Sequence, residues 1–206
     1  MKYIFWDFNG TILDDARLCY DILIEMLKEE ERPLVTFDEY LMIFTFPVEA
    51  YYDKVYDLKK TPFKVLAHRF IERYQPRSLD LSLHEGVVET IHACEKLGYQ
   101  NVLLSASEIK NLHEQLKHYQ IDHLFQTVLG TSDVYANSKV KVAEKFIFEN
   151  KIDPKDIVMI GDTLHDAEVA HTLGCRIILF TQGHQHPSRF LNYEKIDQIQ
   201  ALLGKI

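Results

Sequence analysis

The chain alternates short, unbroken apolar runs with longer stretches in which apolar residues recur at three- and four-residue spacing. Five of the runs, "YIFWDF" (3–8), "NVLLS" (101–105), "TVLG" (127–130), "IVMIGD" (157–162) and "RIILF" (176–180), read as strands buried on both faces, the habit of parallel sheets. Between the later four lie helix patterns, "EIKNLHEQLKHY", "KVKVAEKFIFEN" and "TLHDAEVAHTLG", the last stopped by Gly174. This alternation predicts an α/β fold with a doubly wound, parallel, five-stranded Rossmann-like sheet.

The first connection breaks the rhythm, because residues 9–100 separate the first strand from the second. Four helix patterns fill the gap: "DARLCYDILIEMLKEEE", "TFDEYLMIF", "PVEAYYDKVYD" and "PFKVLAHRFIERYQ", with Pro33, Pro47, Pro62 and Pro76 as punctuation at starts and stops. They predict an inserted helical cap bundle at residues 16–82, with "PRSLDLSL" as the return linker and the core formed by residues 1–15 and 83–206.

Composition narrows the class of partner. With 206 residues, 47% of them hydrophobic, the chain can bury a full core and a smaller accessory unit. A formal charge of −8 disfavours nucleic acid and anionic membranes as partners. No apolar run approaches the roughly 20 residues of a spanning helix, and "MKYIFWDF" enters the presumed core without a signal-peptide pattern. Cys19, Cys94 and Cys175 are widely spaced and fit no metal motif. The expectation is a cytoplasmic protein, monomer or homodimer, whose partner is a small molecule.

The chemistry is expected beyond the carboxyl ends of the strands, where open α/β sheets bind ligands. Asp7 follows "YIFW", Ser105 follows "NVLL", Asp162 follows "IVMIG", and Asp166 lies one helical turn further on. Each acid taken singly reads as a helix cap or turn former. Together, Asp7, Asp162 and Asp166 would share one crevice, and carboxylates that close repel unless protonated or neutralised. A hard divalent ion held by oxygen, most simply Mg2+, relieves the repulsion and recruits a phosphate.

These residues resemble the haloacid dehalogenase-like superfamily, most of whose members are phosphatases, and the similarity spans almost the whole chain. "DFNGTILDD" resembles the first motif, "VLLSAS" the second, "SKVKVAEKF" the third and "IGDTLHD" the fourth; the inserted bundle resembles the family's helical cap. The resemblance points to the phosphoglycolate-phosphatase-like branch and to a Mg2+-dependent phosphatase of small phosphomonoesters. It implies that Asp7 is the nucleophile forming an aspartyl-phosphate. It implies that Asp7, Asp162, Asp166 and the backbone carbonyl of Asn9 hold the metal. Ser105 and Lys139 would bind the transferring phosphoryl oxygens, with Gly10, Thr11 and Ala106 shaping the phosphate pocket. Lys141 is the alternative to Lys139.

Asn9 departs from the pattern, which has a second aspartate there as general acid and base. An amide cannot exchange a proton usefully near neutral pH, so a contribution of about 10²- to 10⁴-fold is at stake. Three readings stay open: slowed hydrolysis that favours good leaving groups; a proton supplied instead by Asp15, Glu49 or His184; or binding of phosphate compounds without turnover. In the insertion, Arg17 is a candidate for a substrate carboxylate, and Tyr51, Tyr52 and Tyr56 are expected to pack the bundle. The "GHQH" stretch (183–186) reads as a polar loop.

Overall fold

In the computed structural model, residues 1–131 and 139–206 are described. The described residues form one six-stranded sheet: β1 (Lys2–Trp6), β2 (Tyr99–Glu108), β3 (Thr127–Thr131), β4 (Ile157–Gly161), β5 (Arg176–Phe180) and β6 (Lys195–Ile196). The order is β3-β2-β1-β4-β5-β6, and every neighbouring pair is parallel. The expectation of five strands is one short. β6 has only two residues, too few to show a period, and pairs with Leu179 and Phe180 of β5.

The helices are α1 (Ala16–Glu29), α2 (Phe37–Ile43), α3 (Val48–Val55), α4 (Phe63–Arg77), α5 (Val87–Lys96), α6 (Ile109–His118), α7 (Lys139–Glu149) and α8 (Leu164–Leu173). The apolar strand runs are explained by what lies on each side of the sheet. Ile4 and Trp6 of β1 join one buried cluster with Ile91 of α5 and Leu112 and Leu116 of α6. Phe5 joins another with Ala143 of α7 and Val169 of α8. Both faces of a strand are therefore covered, as a doubly wound sheet requires.

Helices α1 to α4, all between β1 and β2, close on a separate cluster that includes Ile22, Leu23, Met26, Tyr40, Tyr52 and Leu66. Two details of the helix pattern differ from expectation. Pro76 lies inside the last turn of α4 rather than ending it, since near a helix end the missing N–H costs a single bond. The crossover helix α5 follows the insertion; Val87, Ile91 and Cys94, between Gly86 and Gly98, were its signal.

The strand order reverses between β1 and β4. Asp7 is the first residue after β1, with its N–H donating to Ile160 O of β4 at 2.9 Å, and Asp162 is the first after β4. The switch point thus presents one acid from each central strand.

Candidate active site

The turn after β1 is built around Phe8, whose carbonyl accepts from the N–H groups of Ile12 (2.8 Å) and Leu13 (2.9 Å). Gly10 sits in this turn at φ 72°, and a Cβ there would stand 2.2 Å from Asp162 Oδ2. Only glycine meets both demands. Thr11 is wholly buried and its hydroxyl donates to Asp162 Oδ1 at 3.3 Å. Gly10 and Thr11 thus position Asp162 and do not line the cavity described below.

Asp166 is both a cap and a member of the crevice. Its Oδ2 accepts from the N–H of Thr163 (3.1 Å) and from the Thr163 hydroxyl (2.8 Å), half of a capping box that starts α8. Its Oδ1 accepts from Lys139 Nζ at 2.6 Å, and the same ammonium donates to Asp7 Oδ1 at 2.6 Å. One carboxylate oxygen from each of Asp7, Asp162 and Asp166 lies within 4.8 Å of the others, all three residues buried. Lys139 is 3% exposed whereas Lys141 is exposed to solvent, which separates the two candidate lysines. Ser138, the first residue of the third motif, lies outside the described residues.

The charges do not balance. Burial pushes Asp7 well above the usual carboxylate range, with Lys139 pulling the other way. Burial drives Asp162 up to about 7. Asp166 is also opposed by burial, but the Lys139 ammonium outweighs it and holds Asp166 low. Lys139 overcomes its own burial through Asp166 and Asp7 and stays protonated. With all three ionised, these buried carboxylates facing one ammonium would leave negative charge uncompensated, and the donors are all oxygen. That set fits a hard divalent cation.

Ser105 lies within β2, where its pairing with β3 shifts register between Leu104 and Glu108. The strand therefore runs past the serine rather than ending at it. The break turns the Ser105–Ser107 segment toward the crevice: Ser105, Ala106 and Ser107 all line it, and Ser105 Oγ accepts from the N–H of Ser107 at 3.0 Å.

Asn9 is fully engaged. Its Nδ2 donates to Asp15 Oδ2 (2.8 Å) and to Tyr74 Oη (2.6 Å), and its Oδ1 accepts from the Ser107 hydroxyl (2.8 Å). Asp15 also accepts from the N–H of Gly10 (2.7 Å) and the hydroxyl of Tyr74 (2.6 Å), and pairs with His184 Nε2 at 3.0 Å. His184 Nδ1 meets Tyr40 Oη at 2.9 Å, and its backbone N–H donates to Asp162 Oδ2 at 2.6 Å. Burial opposes charge on both partners, yet His184 holds Asp15 below the usual carboxylate range, and Asp15 raises His184 to about 9. Tyr40 of α2 and Tyr74 of α4 thereby join the insertion to the core.

Of the residues considered as substitutes for the missing acid, Asp15 touches Asn9 and His184 pairs with Asp15 from the other side, while Glu49 is exposed and does not line the cavity. Arg17 is exposed and paired with Asp21 at 3.1 Å, away from the cavity. Tyr51, Tyr52 and Tyr56 are 2–4% exposed within the helical cluster. His184 is more than part of a polar loop: it is buried among Asp15, Tyr40 and Asp162, none of which is near it in sequence.

A doubly wound sheet whose switch point gathers acids and a lysine under a helical insertion defines an α/β protein built to act on a ligand at its strand ends. The chain belongs to the haloacid dehalogenase-like hydrolase family, whose model matches residues 4–180. It is 29% identical over 132 residues to a phosphoglycolate phosphatase of Pasteurella multocida, a match covering 63% of this chain and 58% of that protein. A phosphoglycolate phosphatase of Aliivibrio fischeri is 23% identical over 197 residues, covering 90% of this chain and 86% of that one. In fold, the chain is similar to a haloacid dehalogenase-like hydrolase from Streptococcus pneumoniae, with a TM-score of 0.83 at 17% identity over 100% of this chain and 98% of the other.

Proposed function

We propose that the protein is a Mg2+-dependent phosphatase of small phosphomonoesters, with residues 16–82 acting as a cap over the site. The observation that carries this reading is Lys139 Nζ at 2.6 Å from both Asp7 and Asp166, with Asp162 beside them. Asp7, Asp162, Asp166 and the Asn9 carbonyl would hold the ion. When bound, Mg2+ supplies charge neutralisation for an anionic nucleophile meeting an anionic substrate.

Asp7 attacks phosphorus, the bond from phosphorus to the leaving oxygen breaks, and that oxygen takes a proton from solvent. Water then attacks the aspartyl-phosphate, releasing inorganic phosphate and a proton and restoring Asp7. Lys139 and the Ser105 hydroxyl would stabilise charge on the phosphoryl oxygens. Asn9, locked by Asp15, Tyr74 and Ser107, orients the turn and transfers no proton. The second step therefore lacks a base at position 9, and the phospho-enzyme is expected to be long-lived.

A second reading is motivated by the same amide: a regulatory protein that binds phosphate compounds and turns them over poorly. Phosphate release from a panel of phosphomonoesters, with and without Mg2+, in wild type and Asp7→Asn, separates the two. Release that needs Mg2+ and vanishes in Asp7→Asn supports the phosphatase. Release that survives the substitution rejects Asp7 as nucleophile, and none from any ester favours the binder. The relatives named above are phosphoglycolate phosphatases, so 2-phosphoglycolate belongs in that panel.

A further inference from the structure

The cavity that opens onto Asp7 continues upward into the helical insertion, with a volume of about 190 Å3. Its upper wall is Phe44, Phe46, Tyr51, Phe63, Phe70 and Ile71. That volume includes the carboxylate crevice, so the space left for an ester group is no larger than about one ring, the size that an apolar cavity of roughly 150 Å3 takes up.

The charged groups around it are equally informative. Lys139 is the only lysine or arginine among the described residues lining the cavity, and it is bound between Asp7 and Asp166. Residues 132–138, "SDVYANS", contain no basic side chain. Of the two lining histidines, His184 is paired with Asp15, and His165 stacks on Phe46 at 4.5 Å with Nδ1 3.7 Å from Glu168. Among the described residues, five carboxylates line the same space: Asp7, Asp15, Asp162, Asp166 and Glu108. A substrate carboxylate or second phosphate carried into this wall would be desolvated with no cation to meet it.

Resting on the phosphatase reading of the site, we infer that the group esterified to phosphate is uncharged, apolar and about the size of one ring, so that 2-phosphoglycolate is a poor substrate. The reaction is the hydrolysis already given: monoester and water yield the alcohol and inorganic phosphate. The aromatic wall reads the alcohol, and the lack of a cation excludes acids.

The test compares benzyl phosphate with 2-phosphoglycolate, both esters of weakly acidic alcohols, by phosphate release with Mg2+. It also compares the non-hydrolysable benzylphosphonate and phosphonoacetate by calorimetric binding with Mg2+. Benzyl phosphate is expected to show a kcat/KM at least about tenfold higher, and benzylphosphonate to bind at least about tenfold more tightly, the scale of burying one aromatic side chain. Ile71→Arg, which adds a cation to the wall, is expected to shift both ratios at least about tenfold toward the acid. Equal or better use of 2-phosphoglycolate would overturn the inference and leave the phosphatase standing. No release from any ester, with benzylphosphonate still bound preferentially, would reject the phosphatase but keep the pocket's selectivity; tighter phosphonoacetate binding would reject that selectivity directly.

Discussion

The side-chain amide of Asn9 donates to the Asp15 carboxylate at 2.8 Å, inside a pocket that also buries Tyr74 and His184. The family pattern places an aspartate where Asn9 stands. Here a carboxylate, Asp15, stands six positions along, and the amide is what lets the two side chains touch without repulsion.

Replacing Asn9 by Asp therefore does more than restore an acid. It sets two carboxylates about 2.8 Å apart in a buried site, where one must take a proton or the contact must open. Asn9→Asp is expected to lower stability by about 2–4 kcal/mol in urea titrations of metal-free protein. The exchange Asn9→Asp with Asp15→Asn should recover most of it, because the amide–carboxylate contact is restored in reverse. A single variant as stable as wild type would show that the contact contributes nothing.

Lys139 and Lys141 give a paired test. Lys139→Ala leaves the buried acids without their ammonium, so phosphate release should fall at least about 100-fold. Urea titration in EDTA should show a loss of about 3–5 kcal/mol at neutral pH. Lys141→Ala, at an exposed position, should change stability by less than about 0.5 kcal/mol. Similar effects from the two variants would contradict the assignment.

The Asp15–His184 pair fixes the sign of a pH effect. The folded-state value of His184 is about 9, above the unfolded value of about 6.5, so its contribution is complete below about 6.5 and is lost as pH rises through 9. Asp15 is held low, so its contribution is present above its unfolded value of about 3.9 and is lost under acid. In metal-free wild type, about 3 kcal/mol should disappear between pH 6.5 and 10, a change absent in His184→Gln. Denaturation series at several pH values would show it, and matching slopes in the two proteins would refute it.

Asp162 gives the proposed metal its own pH signature. Its folded-state value is raised to about 7, so the metal-free protein loses stability as pH rises from about 4 through 7. Protons and cation compete for the same oxygens. The increase in melting temperature on adding Mg2+ should therefore grow between pH 5.5 and 8 and be smaller in Asp162→Asn; a pH-independent increase would place the cation elsewhere.

Much of the sheet was legible because strands covered on both faces leave continuous apolar runs, and Asp7, Asp162 and Asp166 could be placed at one end of it by the doubly wound rule. β6 was not, having two residues. Nor was the network around Asn9: Tyr74 and His184 meet Asp15 from 59 and 169 residues away, and no local spacing encodes such contacts. Ser105 was anticipated at a strand end, but only the register shift in β2 shows how the segment turns toward the crevice. Of the apolar wall, Phe44, Phe46 and Tyr51 fall in "FTFPVEAYYDKVYD" (44–57), which resembles the substrate-facing segment of the cap in similar phosphatases, but Phe63, Phe70 and Ile71 carried no such signal. Aromatic residues at helical spacing look the same whether they fill a bundle or line its cavity.

The most direct measurement is the mass of the protein after brief exposure to acetyl phosphate and an acid quench. With Mg2+, one added phosphoryl group on the peptide containing Asp7 is expected, absent in EDTA and in Asp7→Asn, and accumulating because Asn9 supplies no base for its hydrolysis. A phosphoryl group on another residue, or one that forms without Mg2+, would contradict the account.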